Sequence, residues 1–285
     1  MGTLVFSTSC LVRRRRIEQT GRPPAPLLTA GLDQLAETIK QRYEAIETLS
    51  ATVDLEPSIL SPSKSEIAEY KDVRGFILFR KSAWIRVIAQ YPVVRGTAFD
   101  MVSDGATFRL LLPSRNLFLT GLNAIAKPSP RKLENLRPQH LLDALLVRPP
   151  DPSTEEAVLE NWTDATHASY IVHILGRDSA GRLHLARRLW FDRASLELVR
   201  QQVFNGGGDL VTDARYEGWE RHGGIMFPAL LIISRPQDEY ELSIHFLKTG
   251  FNEPMGEEKF DLQPPPGVKV QKVGEEEAQP APRGR

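Results

Sequence analysis

Six histidines and one cysteine are the residues of this 285-residue chain best suited to metal or nucleophile chemistry. A zinc centre needs three or four ligands drawn together. His173 and His184 fall on segments expected to pair as neighbouring strands and to face each other. No third ligand has a matching spacing, so the two read as a surface pair. There is no Gly-x-Ser-x-Gly nucleophile elbow and no phosphate-binding loop. The glycines of "NGGGD" at 205–209 join two strand-like runs with no helix after them, so they read as a turn. "NWT" at 161–163 fits a glycosylation acceptor, a pattern frequent by chance. Glu155 and Glu156 adjoin a proline-rich break and read as solvated loop carboxylates. No catalytic residue, metal ligand or cofactor is therefore assigned. What remains is Cys10, in "STSCLVRRRR". Small residues (Ser7, Thr8, Ser9) precede it and Arg13 to Arg16 follow. It reads either as an idle thiol in a disordered tail or as the attachment point of a lipid. In the second case "GTLVF" is the end of a truncated secretory signal.

Composition narrows the classes further. The chain is 41% hydrophobic and 25% charged, which suits a globular protein with a real core. Its formal net charge is zero, so no overall field draws nucleic acid. One cysteine excludes an internal disulfide framework. No apolar run approaches the ~20 residues of a membrane helix, so membrane contact would be by anchor or by surface. The arginine run at 13–16 would suit anionic head groups beside an anchor, and equally suits a solvated tail.

The elements that must position any site are legible from period. Residues 17–31 are rich in proline, glycine and polar residues and read as a tether. Leu32, Leu35, Ile39, Tyr43 and Ile46 recur at three and four, which predicts an amphipathic helix. Thr29 is its expected cap, and Asp33 suits its first turn. From Ser50 the period becomes two, with Ala51, Val53 and Leu55 on one face. "GFILFR" and "AWIRVIAQY" follow as hairpin neighbours, and Asp104-Gly105 predicts another tight hairpin. A long irregular stretch is expected over 114–138. Pro138 then opens a short apolar helix through "QHLLDALLV". Six further strand-like runs with short turns lie between 168 and 251, and short turns favour antiparallel pairing. The sum is an α+β chain of about eleven antiparallel strands with two helices. So long a sheet must curl to bury one face.

The early strands carry more apolar residues than one buried face needs. Phe76 to Phe79 run without a polar break, as do Leu110 to Leu112. Either loops pack the second face, or the curled sheet keeps an apolar cavity. In the second case Trp84, Phe99, Met101, Leu110 and Leu112 are expected to line it. Phe118 and Leu122, in the irregular stretch, would form a mobile cover.

The leading helix running into "LSATVDLEPSI", then "GFILFRKSAWIRV", "FDMVSDGATFRLLLP", "LWFDRASLELVRQQVF", "MFPALLIIS" and "FDLQPPPGVKVQKV", resembles the LolA/LolB-like superfamily of lipoprotein carriers and receptors, in its uncharacterised lipoprotein branch. The resemblance spans 32–273. It implies an incomplete antiparallel β-barrel with helices covering the concave face, which takes up acyl chains of lipoproteins or lipids. It also implies a receptor-type lipid anchor at Cys10, and a cargo- or membrane-contacting loop at Val93 and Val94. The expected division is 1–31 truncated signal, anchor and tether; 32–273 barrel; 274–285 disordered tail. The expected function is a monomeric, lipid-anchored protein on the periplasmic face of the outer membrane. It would bind acyl chains in lipoprotein or lipid transfer, with a periplasmic carrier as a possible partner. The alternative is a non-catalytic envelope interaction module of the same fold with a filled barrel.

Overall fold

The computed structural model describes residues 26–61, 66–69, 73–91, 96–123, 137–164 and 166–273. Helix α1 (Leu32–Glu44) leads. Seven strands follow: β1 (Thr48–Ser61), β2 (Glu66–Glu69), β3 (Val73–Arg80), β4 (Trp84–Gln90), β5 (Thr97–Ser103), β6 (Thr107–Leu112) and β7 (Leu117–Leu122). Helix α2 (Pro138–Leu145) separates them from β8 (Glu155–Thr163), β9 (Ala168–Arg177), β10 (Leu183–Asp192) and β11 (Leu198–Phe204). Then come β12 (Leu210–His222), β13 (Ile225–Arg235), β14 (Tyr240–Phe251) and β15 (Lys269–Val273).

All fifteen strands join one sheet, in the order β15-β7-β6-β5-β4-β3-β1-β14-β13-β12-β11-β10-β9-β8, with β2 beside β1. β1 pairs with both β3 and β14 and so ties the early strands to the late ones. The end strands, β15 and β8, are not partners, so the barrel is incomplete as expected. The strand count is higher than about eleven. β7 arises inside the stretch read as irregular, and β8 begins at Glu155, in the stretch read as a break. β15 pairs with β7 in parallel, an exception to the antiparallel rule. That is feasible because a long chain segment separates the two.

Both helices lie on one face of the sheet, the inner face. Leu35 and Ile39 of α1 and Leu141, Leu142 and Ala144 of α2 pack there against Leu49, Val53, Ile77, Phe79, Ile85 and Val87. The period-two phase of Ala51, Val53 and Leu55 is the inner phase, as predicted. α1 starts after Gly31 in extended conformation, without a side-chain cap, so Thr29 does not cap it. Pro138 occupies the first turn of α2, where its missing N–H costs nothing. α2 touches β4 and β5 among the early strands and β13 among the late ones, so it spans the hollow of the curl between them. The end of the tether is tied down: Leu28 N–H donates to Arg193 O at 2.7 Å, and Ala30 is buried.

The outer face of β4 to β7 has its own cover. Residues 253–268 cross it, with Phe260 and Leu262 buried against Val102 and Phe118 and with Trp84 and Leu111 packed around them. Arg86 holds this segment by donating to Lys259 O at 2.8 Å and Asp261 O at 3.2 Å, while it pairs with Asp100 at 2.7 Å. The surplus of apolar residues in the early strands is thereby explained. Their second face is packed by chain.

Candidate functional site

Pairing registers decide where the expected cavity residues point, because directly paired residues share a face. Met101 opposes Val87 and Leu110, and Phe99 opposes Ala89, so these lie on the inner face. Leu112 shares their phase. Trp84 and Phe118 have the opposite phase and belong to the outer core around Phe260. Leu122 is also outward and is 62% exposed. The physical reason is strand parity: one position's slip reverses a side chain. Phe118 and Leu122 sit in β7 and not in a loose cover. None of the four inner-face residues lines either of the two cavities described below. Leu110 and Leu112 are buried with Phe108 and Leu119, and Phe99, Met101, Leu117 and Val273 pack on them. Cys10, Val93 and Val94 lie outside the described residues.

The larger cleft is elsewhere on the inner face. It has a volume of about 420 Å³ and lies between α2, the end of α1 and the strands β10 and β11. Leu142, Leu146, Tyr43, Val203 and Phe204 give it apolar walls; Arg148, Arg187, Asp143 and Gln201 give it polar ones. Its size falls within the roughly 300–1,000 Å³ of small-ligand sites.

The polar wall is built around Glu155, the first residue of β8. Arg187 projects inward from β10 and is 6% exposed. It donates to Glu155 Oε2 at 2.9 Å, to Arg148 O at 2.8 Å and to Pro149 O at 3.3 Å. Arg148 grips the same carboxylate from the other side, at 2.6 and 3.1 Å, and Asp151 N–H donates to it at 2.9 Å. Burial pushes Glu155 up. The hydrogen bonds from Arg148 and Asp151 and the Arg187 charge outweigh that, and they hold its carboxyl below the usual range. Asp143 opens on the cleft, yet desolvation by the protein around it shifts its carboxyl upward. Two guanidinium groups thus share one fully engaged carboxylate.

α2 forms the lid-like wall of this cleft, and its C-terminal carbonyls are satisfied from the sheet. Gln201 Nε2 donates to Asp143 O at 3.1 Å, and Tyr216 OH donates to Ala144 O at 2.8 Å. Burial alone raises the Tyr216 phenol far above its ordinary value, so it is a permanent donor. His140, on the same helix, is held down to about 3 by burial first and by the charges of Arg235 and Arg137 second.

Sequence reasoning placed Glu155 among solvated carboxylates; it is instead the centre of a buried ion cluster. The signal that could have found the cluster is phase. Arg187 alternates with Leu189 and Phe191, and Gln201 with Val203, so polar residues occupy inward positions. The other candidates resolve plainly. His173 opposes Arg188 and bonds Glu160 at 2.7 Å, while His184 lies opposite Gly176, so the two histidines do not face each other. A register shift between Leu185 and Arg187 separates their phases. "NGGGD" is the β11–β12 turn, closed by Asn205 N–H donating to Asp209 O.

Three solved bacterial proteins are among those similar to this chain in fold. One is a LolA superfamily protein from Nitrosomonas europaea, 13% identical over 80% of this chain and 97% of that one, with a TM-score of 0.50. The second is a DUF1329 family protein from Desulfovibrio piger, 12% identical over 80% and 94%, also at 0.50. The third is described as an outer membrane lipoprotein-sorting protein domain from Vibrio parahaemolyticus, 11% identical over 80% and 94%, again at 0.50. The likeness is one of fold, and it agrees with the LolA/LolB-like architecture expected from sequence. No protein-family model and no curated protein matches the chain.

Proposed function

We propose that this chain is a non-catalytic binding protein of the bacterial envelope that takes up acyl chains. In this reading it serves lipoprotein or lipid transfer to the outer membrane and is tethered there by lipid on Cys10. One observation carries the reading. The apolar inner face of an unclosed sheet is covered by two helices, and a cleft of about 420 Å³ lies between the shorter one, α2, the end of α1 and strands β10 and β11. An acyl chain entering such a site is stabilised by roughly 0.8 kcal/mol per methylene removed from water. The fold shared with the Nitrosomonas europaea and Vibrio parahaemolyticus proteins supports the same reading.

A second reading has its own support. Phe108, Leu110 and Leu119 are at most 2% exposed, so that part of the inner face is filled. A filled face suits an envelope interaction module with a protein partner. Two substitutions separate the readings when an acyl fluorophore titration is combined with thermal unfolding. Val203→Glu places a carboxylate in the half-open cleft, where water can reach it. Acyl binding is expected to vanish with the melting transition preserved. Leu110→Glu strands a carboxylate in a closed core and is expected to unfold the protein. Wild-type protein that binds no acyl probe sinks the acyl reading and leaves the interaction module.

A further inference from the structure

The cleft has two chemically different ends. At one, Arg148 and Arg187 meet on the carboxylate of Glu155, whose oxygens are already engaged, with the Asp143 carboxyl also on the cleft wall and within the field of both arginines. Arg148 is half exposed, so its guanidinium remains reachable. Arg187 is almost wholly buried, and its Nε has no acceptor among the described residues. At the other end, Tyr43 and Leu146 belong both to this cleft and to a smaller cavity of about 40 Å³. The walls of that second cavity are mostly apolar and include Leu145, Trp219, Met226 and Phe227; its one charged wall residue, Arg42, lies over the Trp219 ring and is paired with Glu197. A cleft that carries guanidinium groups and shares two wall residues, Tyr43 and Leu146, with a mostly apolar recess is complementary to a molecule with one charged head and one chain.

We infer that the cleft binds a single-chain anionic amphiphile, with its carboxylate or phosphate head beside Arg148 and Arg187 and its chain passing Leu146 and Tyr43 toward Trp219 and Phe227. This rests on the acyl-binding reading and makes it specific. Guanidinium groups match planar and tetrahedral oxyanions through paired N–H donors. The recess is too small for more than the end of a chain unless Leu146 and Met226 change rotamer. Methionine is suited to such adjustment because its side chain is unbranched and flexible.

The test uses the full chain and a fluorescent polyene fatty acid as probe. Palmitate, hexadecyl phosphate and hexadecanol compete for it in wild type and in Arg148→Ala. The two anions are expected to displace the probe at least about tenfold better than the alcohol, a gap of roughly 1.4 kcal/mol. Arg148→Ala should erase that gap without weakening the alcohol. Comparing palmitate with hexadecyl phosphate tells which oxyanion the arginines prefer. Equal displacement by acid and alcohol in wild type, or a gap unchanged in Arg148→Ala, overturns the head placement and leaves acyl binding standing. A probe that does not bind wild type overturns both. Glu155 keeps Arg187 and the Asp151 N–H when Arg148 is trimmed, so the variant is expected to fold. Should it not melt cooperatively, Arg148→Gln gives the same comparison.

Discussion

Glu155 decides more than its place at a strand start suggests. Its carboxylate and the Arg187 guanidinium are each only 7% exposed, so each depends on the other for compensation. Removing one partner of such a pair strands the other charge. Glu155→Gln is expected to cost about 3–5 kcal/mol in urea unfolding. Replacing both partners by apolar residues, as in Glu155→Met with Arg187→Met, should recover much of the loss, because no buried lone charge remains and Arg148, half exposed, is solvated. His140 makes a prediction about pH. It is neutral in the folded protein, since its folded value of about 3 lies below the ordinary 6.5. Its contribution is fully present above pH 6.5. Below that the unfolded chain takes up a proton that the folded one refuses, so stability falls as pH drops toward 3. The slope from this one group is at most about 1.4 kcal/mol per pH unit. His140→Asn should flatten the decline between pH 7 and 5 in thermal melts; an unchanged slope would assign the decline to other groups. Gly105 is a backbone matter. Its φ is +95°, and a Cβ there would sit 2.5 Å from the Ala83 Cβ. Gly105→Val is expected to cost at least about 1–3 kcal/mol, and a denaturant midpoint equal to wild type would contradict the strained turn.

At the scale of elements, α2 is the piece whose attachment would govern access to the cleft under the proposed function. Its apolar side chains hold it by burial, while Tyr216 and Gln201 fix its last carbonyls. Tyr216→Phe leaves the Ala144 carbonyl buried without its donor, at about 1–3 kcal/mol. Amide exchange should rise in α2 more than in β12 if the bond acts as a latch, and uniform change would argue for a purely global effect. The elements were also where sequence was most and least informative. α1, the Asp104-Gly105 hairpin and the Pro138 start of α2 follow from local chemistry: a 3.6-residue period, a positive φ and a missing N–H. β7 and β8 did not follow. β7 contains Thr120 and Gly121 amid leucines and pairs on both sides, so neither alternation nor turn residues mark it. β8 is the sheet's end strand, half exposed, and opens with carboxylates at Glu155 and Glu156 that read as loop. The segment 253–268 has no period at all. Only tertiary contact reveals that Phe260 fills an outer core, and Trp84 was assigned to the wrong face for the same reason. Phe260→Ala is expected to cost about 3–5 kcal/mol.

For the whole molecule, one open sheet carries two different interiors. Among the described residues the early strands are packed on both faces, with α2 against β4 and β5 on the inner side and the C-terminal crossing on the outer side. The late strands leave a cleft whose walls mix leucine with arginine. Fold and inner-face phase were legible in the sequence because they depend on repeated patterns. The location of the cleft was not, because it depends on how far the sheet curls and on which polar residues break an inward phase. The central claim is therefore spatial: acyl chains enter beside α2 and β11, not between β5 and β6. A photoactivatable fatty acid bearing a diazirine near its chain end, cross-linked to wild-type protein and mapped by peptide mass spectrometry, tests it most directly. The account predicts label on the α2-to-Arg148 segment, on β11 or on the Trp219–Phe227 recess, competed away by unlabelled palmitate. Label confined to Phe99–Leu112, or no competable label anywhere, would contradict it.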